Sequence, residues 1–405
     1  MRILIKNCTL VSIAKNRPEY EENMDILIEN ENILKISRNI SERVDKIINA
    51  NENVVMPGLI NCHCHIAMSI FRETVDGYGL QDWLTKKIWP IEEKLTPEEI
   101  YNASVLSFKE MIGTGTTTVN DMYFMEDETI KAAKESGVRL QTTRTLMDIA
   151  GQEDSKMRLQ EVERLLREYP KDELITINAG LHGLYTSSKL YAKECIDFSK
   201  KNNIPLHMHF CENTKEVSDI KESYNETPVE FLKKNLVGTK TILAHCVKLT
   251  DEDIKDISNI DADISVATCP VSNLKLGCGV PKITKMQAEG INICIGTDGQ
   301  GSGCNLDLFE QMKYTALLQK GIEEKPELMP AYEILKMATI NGAKALGLEE
   351  KIGSIEEGKR ADIILIDMHD ILTTPINNLI AELVYNIKGS NVKMTMINGK
   401  VLLEK

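Results

Sequence analysis

Seven histidines stand in this chain of 405 residues, and their spacing is the first sign of chemistry. His63 and His65 lie two positions apart, and so do His207 and His209. Residues i and i+2 of a strand share a face. Each pair therefore offers two imidazoles to one side, where they can share a metal. Glu212 follows in the loop just past His209, where a carboxyl can move protons between water and substrate. His245 closes Ala244-His245-Cys246, and Asp298 stands in Gly296-Thr-Asp298-Gly. An aspartate beside a metal can bind the ion and accept a proton from its water. His63, His65, His209 and Asp298 together form a mixed nitrogen and oxygen donor set with room for water, the composition of a hydrolytic metal site. His209 is preferred to His207 as a ligand because it is nearer the strand end, and His207 is read as a deeper, hydrogen-bonded histidine. Taken alone, His245 reads equally as a group that orients an attacking hydroxide or as a satisfied core residue.

Ten cysteines compete with this reading, above all Cys62 and Cys64, which alternate with His63 and His65. A thiolate site built from that run would need neighbouring residues to converge, and a strand turns them to opposite faces. The two thiols are therefore expected towards the helices, as buried structural groups. The formal net charge of −13 argues against a nucleic-acid polymer as partner, because phosphate backbones require a basic surface. No apolar window is long enough for a membrane span and no leader pattern opens the chain, so a cytoplasmic protein with reduced thiols is expected.

Eight short apolar segments precede or carry these residues: 59–65, 116–120, 140–145, 175–180, 206–211, 241–246, 264–268 and 291–297. Helical stretches alternate with them, including 97–112 behind the N-cap Thr96, 187–201 and 306–319. This is the arithmetic of an α/β fold of the (β/α)8 TIM-barrel type, for which ~250 residues is typical. The excess falls mainly in 69–96, a candidate lid or substrate loop. His63, His65, His182, His207, His209 and His245 all lie at or near strand ends, the face where such barrels carry their sites. A doubly wound sheet is the weaker alternative, since no Gly-x-Gly-x-x-Gly follows the first strand. Short strands also mark both chain ends, at 3–5, 25–28, 33–36 and 46–48 and again at 362–366 and 393–397. A small β-sandwich domain formed from both ends follows, with boundaries at 1–56, 57–352 and 353–405. Two-metal barrels use a bridging carboxylate, often a modified lysine on the fourth strand, and 175–180 contains no lysine, so one metal is expected.

Several runs of residues carry a family resemblance over essentially the whole chain: Met56-Pro-Gly-Leu-Ile-Asn-Cys-His-Cys-His65, His207-Met-His-Phe-Cys-Glu212, Ala244-His-Cys246, Cys269-Pro-Val-Ser-Asn-Leu-Lys-Leu276, Gly296-Thr-Asp-Gly299 and Gly353-Ser-Ile-Glu-Glu-Gly-Lys-Arg-Ala-Asp362. The chain resembles the single-metal branch of the amidohydrolase superfamily, and within it the deaminases of S-adenosylhomocysteine, methylthioadenosine and 5′-deoxyadenosine. The resemblance implies that Glu212 protonates a purine ring nitrogen, that Asp298 shuttles protons, and that His209 and not His207 binds the metal. It further implies substrate contacts from Glu92 to the ribose hydroxyls, from Arg144 on the tail side, and from His182 and Ser302, with Arg158 and Trp83 as additional candidates. The implied cofactor is one divalent ion, zinc first, with iron and manganese accepting the same donors. The implied partner is a small nucleoside, with no nucleic-acid polymer and no membrane, and a homo-oligomer is left open. A deaminase or chlorohydrolase of a free base or other aminated heterocycle (guanine, a triazine) is the alternative, and a catalytically inactive scaffold of the same fold is a third reading. Glu92 separates the first two, because a ribose-binding carboxylate favours nucleosides over free bases.

Overall fold

The computed structural model describes residues 1–369 and 373–405. Five strands open the chain: β1 (Arg2–Leu10), β2 (Glu21–Glu29), β3 (Asn32–Ser37), β4 (Lys46–Asn49) and β5 (Val54–Pro57). The barrel strands follow as β6 (Leu59–Cys64), β7 (Thr116–Asp121), β8 (Arg139–Thr142) with its continuation β9 (Thr145–Leu146), β10 (Ile175–Ile177) with β11 (Ala179–Leu181), β12 (Leu206–Phe210), β13 (Lys240–His245), β14 (Asp263–Thr268) and β15 (Asn292–Ile295). Three strands close the chain, β16 (Ile363–Ile366), β17 (Val392–Ile397) and β18 (Lys400–Glu404).

The two chain ends meet in one small domain, as expected. Its strands form one continuous mixed sheet in the order β18-β17-β16-β5-β1-β2-β3, with β4 also paired to β1. Continuity comes from β1, which pairs with β4 over Ile3–Lys6 and then with β5 at Thr9 and Leu10. Side-chain alternation lets this sheet serve two cores. Val55, Ile363 and Leu365 pack with Ile3, Ile5, Ile26 and Met394 inside the small domain. Val54, Met56, Ile364 and Ile366 turn the other way and join the barrel's outer core.

The eight barrel strands form where the sequence places them, but the third and fourth are each broken, which divides the barrel into two parallel arcs, β10-β8-β7-β6 and β15-β14-β13-β12-β11-β9. The seam between β6 and β15 carries Asn61 side-chain bonds and one backbone bond in place of a regular ladder. Asn61 Nδ2 donates to Thr297 Oγ1 at 2.7 Å, the Thr297 amide donates to Asn61 Oδ1 at 3.1 Å, and the Asp298 amide donates to the His63 carbonyl at 3.0 Å. Gly296 allows this approach, since a Cβ there would stand 2.8 Å from the His63 Cβ and carbonyl oxygen.

Segment 69–96, expected as a lid or substrate loop, is helical over Leu80–Trp83, Leu84–Ile88 and Trp89–Glu92. Leu80, Trp83, Leu84 and Ile88 recur at helical spacing and pack on Met68 and Phe71, forming an apolar cluster apart from the barrel core. Thr96 caps the next helix, Pro97–Gly113, in a capping box with Glu99. Among the described residues, no helix is long and apolar enough to cross a membrane.

One buried ion pair ties the C-terminal strands to the barrel. Arg139 Nη2 lies 3.0 Å from Asp362 Oδ2, with side chains 6% and 2% exposed. Asp362 also accepts the Asn398 amide at 2.7 Å. Asp362→Ala would leave the Arg139 guanidinium buried without its counter-charge, which costs about 3–5 kcal/mol. Thermal denaturation is expected to show a clearly lowered melting temperature; an unchanged one would rule out this anchoring role.

Candidate metal centre and substrate cavity

Three imidazoles at the barrel mouth share one arrangement, with Nδ1 tethered and Nε2 turned inward. His65 Nδ1 donates to the Met122 carbonyl and His209 Nδ1 to the His182 carbonyl, each at 2.6 Å. His63 Nδ1 lies 2.8 Å from His207 Nε2, which places His207 deeper in the barrel, beneath the cluster. The Nε2 atoms of His65 and His209 approach to 3.1 Å. Asp298 Oδ1 stands 3.3 Å from His65 Nε2 and 3.7 Å from His63 Nε2. The donor atoms of His63, His65 and His209 lie within 4.8 Å of one another, as do those of His63, His245 and Asp298.

These residues fit a divalent ion on their own chemistry. His63 Nε2 is buried and has no hydrogen-bond partner in the protein, and neither has His245 Nε2. A buried polar nitrogen left alone is costly, and an ion at the common focus would satisfy it. Burial, with the neighbouring imidazoles adding to it, holds His63 and His209 well below the usual histidine range, so their lone pairs are free for a metal. Burial pushes the Asp298 carboxyl up, but His65 and His245 and hydrogen bonds from Ser272 Oγ (2.6 Å) and the Gly299 amide (2.7 Å) outweigh it and hold the group below its ordinary value. Asp298 is thus a carboxylate, held at φ 62° so that it turns back over the site.

Glu212 differs in charge state. It is 2% exposed, and burial, reinforced by Asp298, pushes its carboxyl up to about 8. Its Oε2 lies 3.8 Å from His245 Nε2, and Cys278 Sγ donates to its Oε1 at 3.7 Å. Asn273 Oδ1 accepts the Nδ1–H of His245 at 2.8 Å, which fixes the tautomer and leaves the Nε2 lone pair facing the site. The site therefore pairs an ionised carboxylate with a protonated one, the division of labour that proton-transfer chemistry needs.

A cavity of about 400 Å³ opens above this cluster, and His65, His209, Glu212 and Asp298 form part of its floor. Glu92, Arg144, His182 and Ser302 all line it, as do Arg158 and Trp83. Glu92 accepts the Tyr123 hydroxyl at 2.5 Å. His182 Nδ1 lies 2.9 Å from Thr186 Oγ1, and Ser302 Oγ bonds the Gly299 carbonyl at 3.3 Å. Arg144 pairs with Glu161 at 2.7 Å and Arg158 with Asp154 at 2.5 Å, so both guanidinium groups have protein partners. His369, the histidine outside the barrel, lies on the surface 3.5 Å from Glu52.

The Amidohydrolase family model matches residues 54–402. The chain belongs to the amidohydrolase family. It is 40% identical over 409 residues to a 5-methylthioadenosine/S-adenosylhomocysteine deaminase of Caldanaerobacter subterraneus subsp. tengcongensis, covering 100% of this chain and 94% of that protein. A 5′-deoxyadenosine deaminase of Methanosarcina acetivorans is 38% identical over 405 residues, covering 99% and 93%. Among solved structures, an adenosine deaminase from Xanthomonas campestris with bound zinc superposes with a TM-score of 0.94 at 28% identity, covering 99% of this chain and 93% of that one.

The site of this amidohydrolase also contains residues that the sequence did not single out. Ser272 and Asn273 hold Asp298 and His245. Both lie inside the Cys269-to-Leu276 run, so the run was visible while the duties of its members were not. Tyr123, which grips Glu92, follows β7 and carried no signal of its own. Cys62 shares a buried apolar cluster with Ala343 and Leu346, and Cys64 sits in the main outer core, the two thiols on the side that strand alternation requires.

Proposed function

We propose that this amidohydrolase is a metal-dependent deaminase that hydrolyses the C6–amino bond of the adenine ring in an adenosine derivative, S-adenosylhomocysteine, methylthioadenosine, 5′-deoxyadenosine or adenosine, giving the inosine analogue and ammonia. The observation that carries this reading is the buried carboxyl of Glu212 beside three convergent imidazoles and Asp298, in a chain similar over its whole length to deaminases of such nucleosides. A divalent ion held by His63, His65, His209 and Asp298, zinc in the first place, supplies the Lewis acidity that makes water nucleophilic near neutral pH. Glu212 gives its proton to ring N1, which draws electron density away from C6. Asp298 accepts the proton released by the attacking water, and the Nε2 of His245 orients the attacking oxygen. As the C6–amino bond breaks, Asp298 passes that proton to the departing amine, and the hydroxyl proton left on C6–OH goes to the ionised Glu212, which restores its acid form. Glu92 receives the ribose hydroxyls, and the remaining cavity walls take the 5′-substituent.

The deciding experiment is an ammonia-release screen across adenosine, 5′-deoxyadenosine, methylthioadenosine, S-adenosylhomocysteine, adenine, guanine and cytosine. Adenine nucleosides are expected to lead; a free base ahead of every nucleoside would reject the proposal. Glu92→Gln is expected to raise KM for the best nucleoside about 10- to 100-fold with a smaller change in kcat, the loss of one or two charge-assisted hydrogen bonds. Burial pushes the Glu92 carboxyl up to about 7, against the pull of the Tyr123 hydroxyl. The free group therefore gains a proton as pH falls through 7 and stops accepting from both hydroxyls. Nucleoside KM is accordingly expected to rise below pH 7 in the wild type and to lose that dependence in Glu92→Gln.

A further inference from the structure

Glu212 reaches the site by breaking the rule that organises the strand before it. Along β12, Leu206, Met208 and Phe210 face the outer core while His207 and His209 face the barrel interior. Continued alternation would send Cys211 inward and Glu212 out among the helices. The chain instead places Cys211 in the outer core and Glu212 in the cavity. The exchange is made at Cys211, whose φ is 49°, a left-handed conformation that costs a non-glycine residue energy.

Glu216 lies where it can enforce it. Its Oε1 accepts the Cys211 amide at 2.8 Å and its Oε2 accepts the Glu212 amide at 2.7 Å, so two successive N–H groups converge on one carboxylate. Glu216 is the third residue of the helix Thr214–Tyr224, capped by Asn213, and a residue in that position ordinarily returns its carboxylate to the amide of the N-cap itself. Thr96 with Glu99, Thr227 with Glu230 and Thr250 with Asp253 all follow the ordinary pattern in this chain, at exposed positions. Glu216 alone among these reaches one and two residues further back, and it is 0% exposed. Among the described residues no lysine or arginine pairs with it, so a carboxyl side chain is kept in the interior with two backbone amides as its partners. Simple helix capping does not require that burial.

We propose that Glu216 is a positioning residue that holds the reversal at Cys211 and thereby aims the Glu212 carboxyl at the substrate. This rests on the proton-transfer role proposed above for Glu212. The test uses metal-loaded enzyme and methylthioadenosine, comparing the wild type, Glu216→Gln, Glu212→Gln and the double variant, with metal content and melting temperature measured for each. The amide of Glu216→Gln keeps one acceptor oxygen and sets an NH2 against the other backbone amide. It is expected to lower kcat about 10- to 100-fold, part of the ~10²–10⁴ a proton-transfer group contributes, with KM and metal content little changed. If Glu216 acts through Glu212, the double variant is no slower than Glu212→Gln alone, because the aimed group is already gone. A cap with only a structural duty predicts a lowered melting temperature with wild-type kcat, or fully additive losses, and either result overturns the proposal. Glu212→Gln with wild-type turnover would remove the underlying role itself, a different failure from an impaired Glu212→Gln beside an unimpaired Glu216→Gln. Adding Cys211→Gly provides a second approach, since glycine takes the left-handed conformation without an anchor. E216Q/C211G is expected to fold and to exceed the kcat of Glu216→Gln, and no recovery counts against the proposal.

Discussion

Glu212→Gln is expected to lower kcat about 10²- to 10⁴-fold while the bound metal stays in place. The substitution keeps the size of the side chain and removes only the acidic proton. Glu212 stands apart from the four donor residues, with His245 Nε2 as its near neighbour at 3.8 Å, so ion binding has no direct need of it. Its effect must therefore appear in turnover. Burial, with Asp298 nearby, pushes its carboxyl up to about 8, so the group is an acid at neutral pH and loses that capacity as pH rises through that value. The alkaline limb of kcat is expected to disappear in the variant. Metal analysis together with a pH–rate profile checks both statements; a stoichiometrically loaded Glu212→Gln enzyme with wild-type kcat would disprove the role.

His63→Ala is expected to abolish metal binding and to lower turnover at least ~10³-fold, since water without the ion reverts from a pKa near 7 to 15.7. His63 has the most demanding position of the donors. Its side chain is fully buried, its Nε2 has no partner in the protein, and its Nδ1 is tethered to His207. Alanine leaves a void at the seam and deprives His207 of that bond. The wild-type melting temperature is expected to fall on chelation, because an ion bound only to the folded state stabilises it. That of His63→Ala is expected to be lower and indifferent to chelator. Elemental analysis finding one equivalent of metal in the purified variant would contradict this account.

Alternation accounts for most of what could be read from the sequence. His63-x-His65 and His207-x-His209 need only a strand to converge, and the apolar runs announce the strands, so the imidazole cluster and the barrel were legible together. Residues that depend on departures from regular geometry were less so. Asp298 reaches the cluster through φ 62°, His245 through φ 74° and Glu212 through the reversal at Cys211, and nothing in a strand pattern specifies such angles. Segment 69–96 reads as a loop because it is the length left over between the first barrel strand and its helix, although Leu80, Trp83, Leu84 and Ile88 already have helical spacing. The Arg144–Glu161 pair depends on where the helix Gln152–Glu168 docks, a tertiary fact without a local signature, whereas Arg158 and Asp154 pair four residues apart within that helix.

Strands β5 and β16 give Val54, Met56, Ile364 and Ile366 to one core and Val55, Ile363 and Leu365 to the other. The border between the two bodies therefore runs through the thickness of a strand and not between residues along the chain. A protein divided this way has no hinge at its domain boundary. Cutting the chain at residue 57 would take Val54 and Met56 out of the barrel's packing along with the small sheet, so the excised barrel would begin with part of its own wall missing. The two bodies should consequently melt in one calorimetric transition, and the first and last fifty or so residues are expected to be needed for the barrel to fold.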